Sequence, residues 1–230
     1  MNSNFSYGFG CNWPQARWLL PLLRQHAEAA SGTILDLGCG ASPFRSLFLK
    51  ADRYVRVDCY KVDDEVIVAD ATSLPFETAS INVIILSQVL GDIPDLVKAF
   101  REMERVLAPD GSLLVYETMT YPQHDLPHDY WRVMPHGLRW AARQAGLEVH
   151  AIDHLGGYFT QLSQHWNLFC MGSLARFWFL RPIAAFGRLC GNFLFAGLDR
   201  ILPRNDLASD YFACIRKQPH NLNKGNIAKS

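Results

Sequence analysis

Apolar and polar positions along the chain follow two periods, which predicts alternating strands and helices. Short apolar, β-branched runs predict buried strands, and apolar residues spaced three or four apart predict amphipathic helices. Strands are predicted at residues 33–37, 54–58, 65–69, 81–86, 112–117, 147–154 and 210–217. Helices are predicted at residues 13–30, 42–50, 92–107 and 135–145 and over most of 156–203, with a tight turn at 109–111. This order predicts a doubly wound α/β sheet of seven strands with a helical insertion before the last strand.

The composition predicts one globular domain. The chain has 230 residues, of which 49% are hydrophobic and 19% charged, enough for one large α/β domain with a sizeable core. We expect that domain to cover residues 1–217. Within it, a lead-in segment (1–32) precedes a first half (33–117) and a second half (118–217) that carries the apolar helical cap at 156–203. We expect residues 218–230 to form a disordered tail.

Charge and cysteine usage exclude several classes of protein. The 22 Lys and Arg residues balance 22 Asp and Glu residues, so no global basic field indicates nucleic acid as a partner. The first fifteen residues lack the basic start and unbroken apolar run of a signal peptide. The six cysteines are scattered without a C-x-x-C pair or a ligand cluster. These features predict reduced thiols, a cytoplasmic location and no bound metal.

A glycine-rich turn follows the first predicted strand. That strand runs through Asp36, and Gly38 and Gly40 come next. Glycines at such a turn let the backbone approach a ligand closely, and ligands bind at the carboxyl ends of parallel strands. An ordinary tight turn is the alternative for the glycines alone. The dinucleotide motif G-x-G-x-x-G would require glycine where Pro43 stands, which argues against NAD.

Taken in order, the motifs over about residues 33–117 resemble the class I S-adenosylmethionine-dependent methyltransferase family, which has a Rossmann-like fold. Residues 36–40 are similar to the first motif, whose acid and glycines surround the methionine part of the cofactor. Asp58 matches the family's ribose-binding acid, and Asp70 matches the residue that binds the adenine amino group. Residues 87–90 match the segment beneath the methionine part. The resemblance therefore implies cofactor contacts from Asp36, Gly38, Cys39, Gly40, Asp58, Cys59, Asp70, Ala71, Ser87 and Gln88.

A loop of histidine, aromatic and charged residues follows the fifth predicted strand. It reads HDYWR and resembles a box in a subset of the family, some of whose members act on glycans or lipid-linked precursors. We expect His128 to deprotonate an acceptor hydroxyl, with Asp129 orienting its ring or binding the acceptor. We expect Tyr130 and Trp131 to wall the acceptor pocket and Arg132 to hold an acidic acceptor group. A packed loop, in which the aromatic rings belong to the core, is the alternative.

The apolar stretch at 182–202 carries a narrow polar stripe. At helical spacing, Arg181, Arg188, Asn192 and Asp199 fall close to one line, and the rest of the surface is apolar. The interruption by Arg188 argues against a transmembrane helix. We expect the broad apolar face to pack on the sheet between the sixth and last strands. A homodimer contact, a lid over an apolar acceptor and docking on a membrane surface are the alternatives.

The resemblance implies an enzyme that uses S-adenosylmethionine to methylate an oxygen atom on a small-molecule, glycan or lipid-linked acceptor. Nitrogen and carbon acceptors are the less favoured alternatives. The alternative from another class is a catalytically silent S-adenosylmethionine-binding module that acts in assembly.

Overall fold

Residues 13–202 and 208–218 are described by the computed structural model of this protein. Our expectations for residues 1–12, 203–207 and 219–230 lie outside the described residues. They include the start of the lead-in segment, the end of the cap and most of the expected tail.

One sheet contains the seven strands β1 (Gly32–Leu37), β2 (Ala51–Asp58), β3 (Val66–Val68), β4 (Ile81–Ser87), β5 (Leu107–Thr118), β6 (Leu147–Leu155) and β7 (Asp210–Lys217). Their order is β3-β2-β1-β4-β5-β7-β6. The pairs from β3 to β5 are parallel, whereas β7 runs antiparallel to both β5 and β6. The chain winds outward in both directions from β1, which confirms the predicted doubly wound fold.

The described residues contain the helices α1 (Trp13–Ala29), α2 (Leu96–Val106), α3 (Pro135–Gln144), α4 (Tyr158–Phe169) and α5 (Arg181–Ile201). On one face of the sheet, α1 packs over side chains such as Ile34. On the other face, α2 and α3 pack over side chains such as Leu35 and Leu37. Because helices cover both faces, the central strands are apolar at nearly every position. The helices α4 and α5 form the predicted insertion between β6 and β7.

The predicted helix at residues 42–50 is wrong. Only a single 3-10 turn is present there, at Arg45–Leu47. Ser42 has a positive φ of 48°, which helical residues do not adopt, and Pro43 has no N–H to donate. Since β2 already begins at Ala51, the connection is too short to form a regular helix.

The start of α2 lies four residues later than the pattern predicts. A 3-10 turn occupies Leu90–Asp92, and Pro94 follows it. Asp95 is the N-cap residue, and its Oδ1 accepts a hydrogen bond from the Lys98 amide at 2.9 Å. The helix therefore begins only where a side chain is available to satisfy its first amide groups.

The predicted tight turn at residues 109–111 is instead an irregularity inside β5. Ile81 pairs with Leu107, whereas Val83 pairs with Ser112, so β5 has extra residues at this point. Such a bulge lets the chain leave α2 directly into the strand without a separate turn.

The expected packing of the helical cap is also wrong. Two residues of the polar stripe of α5, Asn192 and Asp199, are buried on the side that faces α4, whereas Arg181 at the start of the helix is exposed. The Asn192 Oδ1 atom accepts hydrogen bonds from Ser163 Oγ at 2.7 Å and from Asn167 Nδ2 at 2.9 Å. The facing side of α4 is itself polar, with Thr160 among its buried residues. Polar residues of α5 therefore pack against polar residues of α4, and Asn192 and Asp199 are hydrogen-bonded there.

The broad apolar face of α5 consequently points away from the protein. Ile183, Phe186 and Leu194 are each more than half exposed, and α5 packs against α4 rather than against the sheet. Among the described residues, no helix has the length and apolar character needed to cross a membrane.

The carboxylate of Asp199 should be the main polar support of the insertion. It accepts hydrogen bonds from Arg17 Nη2 at 3.2 Å, from the Phe159 amide at 3.1 Å and from Thr160 Oγ1. Asp199→Ala removes the acceptor from these three donors, which lie in buried or partly buried surroundings. We expect a loss of about 2–4 kcal/mol in the free energy of unfolding, measured by urea denaturation.

Arg200→Ala is the matched control, because the neighbouring Arg200 is exposed. It should change stability by less than about 0.5 kcal/mol. Equal stability of the two variants would show that the insertion does not depend on its polar interior.

Candidate active site

The glycine turn lies between β1 and the 3-10 turn, at the carboxyl edge of the sheet. The amides of Gly38 and Cys39 donate to the Val57 carbonyl at 2.9 and 3.0 Å. Gly38 has a φ of 69°, and a Cβ atom there would lie 2.4 Å from the Val89 side chain. Gly40 has a φ of 45°, and a Cβ atom there would meet no atom within 4 Å. Gly38 is therefore required for packing, whereas Gly40 borders open space in which a ligand can approach the backbone.

Arg56 fixes the shape of this turn from the interior of β2. Its Nε donates to Ser42 Oγ at 2.8 Å, and its Nη2 donates to the Gly40 carbonyl at 3.1 Å. Its Nη1 also pairs with Asp63 Oδ2 at 2.7 Å. Sequence reasoning missed this residue, although a buried arginine between two valines of a strand is an identifiable signal.

Two of the predicted acids lie on either side of the turn. Asp36 is buried in β1, and Tyr54 Oη donates to it at 2.9 Å. Burial raises the pKa of Asp36 to about 6. Asp58 ends β2, where its two oxygens accept from the amides of Gly40 at 3.0 Å and Tyr60 at 3.1 Å. A carboxylate has about four acceptor positions, so Asp58 retains capacity for a hydroxyl-bearing ligand.

The next loop along the edge follows β3. The Ala69 amide donates to the Asp58 carbonyl at 3.0 Å, which joins the ends of β2 and β3. Asp70 Oδ1 accepts from the Thr72 amide at 2.7 Å, and this hydrogen bond lowers the pKa of Asp70. Cys59 is exposed in the same region. The carboxyl ends of β1 to β4 and the loops that follow them lie at one edge of the sheet. This edge carries all ten residues of the predicted cofactor site: Asp36, Gly38, Cys39, Gly40, Asp58, Cys59, Asp70, Ala71, Ser87 and Gln88.

The loop after β4 depends on a buried carboxyl group, that of Glu117, which the sequence pattern marks only as the end of a strand. Glu117 Oε1 accepts hydrogen bonds from the amides of Val89 and Leu90, both at 2.8 Å. Gln88 has a φ of 57°, and its amide donates to the Tyr116 carbonyl at 2.8 Å. Burial raises the pKa of Glu117 to about 7. An acid at the end of a strand that is otherwise apolar was the available signal.

The HDYWR box packs onto this same loop. The amides of Tyr130 and Trp131 donate to the Gly91 carbonyl at 2.9 and 3.1 Å. The indole Nε1 of Trp131 donates to the Ile93 carbonyl at 3.0 Å. The side chains of His128, Tyr130 and Trp131 are exposed rather than part of the core. The structure therefore places the box next to the segment at 87–90.

Within the box, the partners of His128 and Asp129 differ from those we predicted. His128 Nδ1 lies 3.3 Å from Tyr130 Oη. The Asp129 carboxylate instead binds Arg132 through both oxygens and accepts from the His124 amide at 3.0 Å. The Arg132 guanidinium lowers the pKa of Asp129 to about 2. Among the described contacts, Asp129 bonds to Arg132 and His124, whereas the His128 ring contacts Tyr130. Binding of the acceptor by Asp129 stays a prediction.

Arg132 is similarly occupied by its own loop. Its Nε donates to the Tyr121 carbonyl at 3.1 Å, and its Nη2 donates to the Pro122 carbonyl at 3.1 Å. Together with Asp129, these partners make Arg132 a clamp between the two ends of the loop. Binding of an acidic acceptor group by Arg132 stays a prediction, and these contacts favour the clamp.

One group of side chains in the described part of the chain has the geometry for a metal ion. Ligand atoms of Asp92, His124 and Asp129 lie within 4.8 Å of one another. Asp129 already pairs with the Arg132 cation, which would have to be displaced or share the carboxylate with a second positive charge. The absence of a metal stays a prediction, and the arginine supports it.

The buried Glu117 should make stability depend on pH. The folded state retains a proton at pH values between the ordinary carboxyl pKa of 4.5 and about 7, where the unfolded state has released it. Stability should therefore fall as pH rises through this interval. Glu117→Gln should remove about 1–3 kcal/mol of that fall, measured by urea denaturation at several pH values.

Glu148→Gln is the control, because Glu148 is an exposed acid on β6. It should leave the dependence of stability on pH unchanged. Stability that rises between about pH 5 and pH 7 in the native protein, and is unaffected by Glu117→Gln, would contradict a buried neutral carboxyl at this position.

Comparison with known proteins adds independent information on this edge. Residues 35–115 match a family model described as a methyltransferase domain. A sterol 4-C-methyltransferase of Caenorhabditis elegans is 28% identical over 87 residues, which are 38% of this chain and 26% of that protein. The chain thus spans about a quarter of the length of this curated relative. The matched model covers the loops after the first four strands, whereas the HDYWR box lies outside it.

Solved structures share the fold. The [4+2]-cyclase SpnF superposes with a TM-score of 0.57 and 19% identity, covering 88% of this chain and 80% of SpnF. A phosphoethanolamine N-methyltransferase 2 of Haemonchus contortus, in complex with S-adenosylmethionine, gives a TM-score of 0.54 and 18% identity. It covers 91% of this chain and 56% of that enzyme. The sheet order and the ordered motifs agree with the family model, and residues 35–115 of this chain are similar to methyltransferase domains.

Proposed function

We propose that this protein transfers the methyl group of S-adenosylmethionine to a hydroxyl group of a small-molecule, glycan or lipid-linked acceptor. The observation that carries the proposal is the pair of hydrogen bonds from Tyr130 and Trp131 to the Gly91 carbonyl. They hold the loop after β5 against the loop after β4. The exposed side chains of the box consequently lie next to the segment that resembles the family's methionine-contacting residues.

The residues at the edge fit the cofactor. The space beside Gly40 accommodates a ligand that approaches the backbone, and Asp58 retains acceptor positions for ribose hydroxyls. Asp70 has a depressed pKa and therefore stays ionised as an acceptor for an exocyclic amino group. When bound, the cofactor supplies an electrophilic sulfonium methyl group. The protein's own contribution is then to align the acceptor and to receive its proton.

His128 is our candidate for the proton acceptor. In the tautomer in which Nδ1–H donates to the Tyr130 oxygen, the Nε2 lone pair is free to accept a proton from an acceptor hydroxyl. Tyr130 is thus a positioning residue for His128. Trp131 contributes an exposed ring surface on which an apolar part of the acceptor can lie, while its indole N–H anchors it to Ile93.

A catalytically silent binding module is the second candidate. The [4+2]-cyclase SpnF has the same fold, so the fold does not by itself specify methyl transfer. Methyl transfer to carbon or nitrogen competes with transfer to oxygen, as the names of the sterol and phosphoethanolamine methyltransferases illustrate. A cytoplasmic location stays part of the proposal, and the free thiols of the described cysteines support it.

Two glycine variants separate packing from cofactor binding. Gly40→Ala adds a Cβ atom in open space, so its cost to folding should be only that of the positive φ, about 1 kcal/mol. Its affinity for S-adenosylhomocysteine should fall at least about tenfold in calorimetry, because the new methyl group occupies the ligand's space.

Gly38→Ala is the matched variant, and its Cβ atom collides with Val89. It should lose about 2–4 kcal/mol of stability, and Gly38→Ala/Val89→Ala should recover part of that loss. Unchanged ligand affinity in a folded Gly40→Ala variant would place the cofactor elsewhere.

His128→Ala tests the chemistry at the acceptor. If His128 is the general base, turnover should fall about 10²–10⁴-fold and the acidic limb of the pH–rate profile should disappear. Cofactor affinity should stay nearly unchanged, because the cofactor contacts come from earlier loops. Tyr130→Phe should cause a smaller loss, since it removes only the ring's positioning partner.

His154→Ala is the control, because His154 is an exposed histidine near the carboxyl end of β6. Full activity and an unchanged pH profile in His128→Ala would remove His128 from the chemistry.

The same assay in the presence of EDTA should retain turnover. Activity that is lost on chelation and restored by a divalent cation would instead assign a metal to Asp92, His124 and Asp129.

A further inference from the structure

A continuous apolar surface covers the outside of the helical insertion. It extends from the 3-10 turn at Trp178–Leu180 along the whole of α5. Each of its principal side chains is more than half exposed. We call this the outer apolar surface and define it by Trp178, Phe179, Ile183, Phe186, Phe193 and Leu194. An exposed patch of this kind on a globular domain marks a contact with another phase or molecule.

The exposure of this surface is built into the insertion. The opposite side of α5 is held by Asn192, bonded to Ser163 and Asn167, and by Asp199, bonded to Arg17. If the apolar side were turned inward, these hydrogen bonds would be lost, and each loss would lower the stability of the fold. The helix therefore has its polar side inside and its apolar side outside, the reverse of an ordinary surface helix.

The charge of the insertion indicates what covers the surface. Residues 158–202 contain four arginines, one aspartate and no lysine or glutamate, although the whole chain is neutral. The aspartate is Asp199, which is buried and paired with Arg17. Arg181 and Arg200 are exposed at the two ends of α5, and the Arg176 guanidinium lies 5.4 Å from the Phe177 ring centre. The outer apolar surface is thus flanked by cations without exposed anions from the same segment.

This combination suits an anionic lipid surface better than a second copy of the chain. In a two-fold dimer the same patch meets itself, so the arginines at its margin would approach other arginines. Aromatic and aliphatic side chains that lie at the acyl boundary, with arginines at the lipid phosphates, are the features of helices that bind in the membrane interface. The helix does not meet the length and apolar character needed to span the bilayer.

The insertion is also attached at the functional edge of the sheet. It leaves β6 after Leu155 and returns to β7 at Asp210, and these two residues are paired. Asp210 also pairs with Thr118 at the carboxyl end of β5, directly before the loop that carries the box. Docking through α5 would therefore bring the acceptor edge towards the lipid.

We propose that the outer apolar surface docks this protein onto an anionic membrane surface. Phe186 and Phe193 enter the boundary between headgroups and acyl chains, and Arg181 and Arg200 contact lipid phosphates. The docking does not rest on the proposed function. Docking would give the candidate active site at the carboxyl edge direct access to a lipid-linked acceptor.

Vesicle flotation of the full chain tests the proposal. The probes are phosphatidylcholine vesicles with and without phosphatidylserine. The native protein should float with the phosphatidylserine vesicles, and less with phosphatidylcholine alone or at high salt. Phe186→Ser/Phe193→Ser should lower the partition coefficient at least about tenfold per ring. Arg181→Ser/Arg200→Ser should reduce the preference for phosphatidylserine.

Leu49→Ser is the matched control, because Leu49 is 88% exposed just before β2, at the opposite edge of the sheet. Its flotation should equal that of the native protein. Calorimetry with S-adenosylhomocysteine should give the same affinity in all variants, so a failure here leaves the methyltransferase proposal standing. No flotation of the native protein, flotation insensitive to Phe186→Ser/Phe193→Ser, or a native dimer that this variant dissociates would each overturn membrane docking.

Discussion

The buried carboxyl group of Glu117 holds the loop on which both halves of the candidate active site depend. It accepts hydrogen bonds from the amides of Val89 and Leu90, which directly follow Gln88 with its positive φ. The Val89 side chain lies against Gly38 of the glycine turn. The Gly91 carbonyl accepts hydrogen bonds from two amides of the HDYWR box. Because these contacts come from one short segment, a shift of that segment would disturb the cofactor side and the acceptor side together.

Ionisable residues inside the sheet fix the loops at its carboxyl edge, and their burial costs stability. A buried carboxyl or guanidinium loses its hydration and is tolerated only when neighbouring groups satisfy it. Arg56 is satisfied by Ser42, the Gly40 carbonyl and Asp63. Glu117 is satisfied by two amides and, with its raised pKa, is readily protonated. In both cases the hydrogen-bonded buried group fixes a loop at the carboxyl edge, where ligands bind in this class of sheet.

The sequence predicts the sheet well, because buried parallel strands are apolar runs that local pattern detects. It also predicts which loops lie at the carboxyl edge, since the ends of parallel strands in such a sheet meet there. That these loops hold the cofactor stays a prediction. The unfavourable φ of Ser42, which prevents the expected helix, is a tertiary feature of the turn. The stripe containing Asn192 and Asp199 was visible in the sequence, but periodicity does not say which side of a helix faces inward. The side of α5 that faces inward is decided by its packing against the polar side of α4.

Calorimetry tests most directly whether the glycine turn and Asp58 form the core of an S-adenosylmethionine site, as we propose. The native protein should bind S-adenosylmethionine or S-adenosylhomocysteine and should not bind NAD. Asp58→Ala should lower the affinity by about 1–3 kcal/mol, because hydrogen bonds to the ribose are lost. Tight binding of NAD without binding of either S-adenosyl ligand would contradict the account.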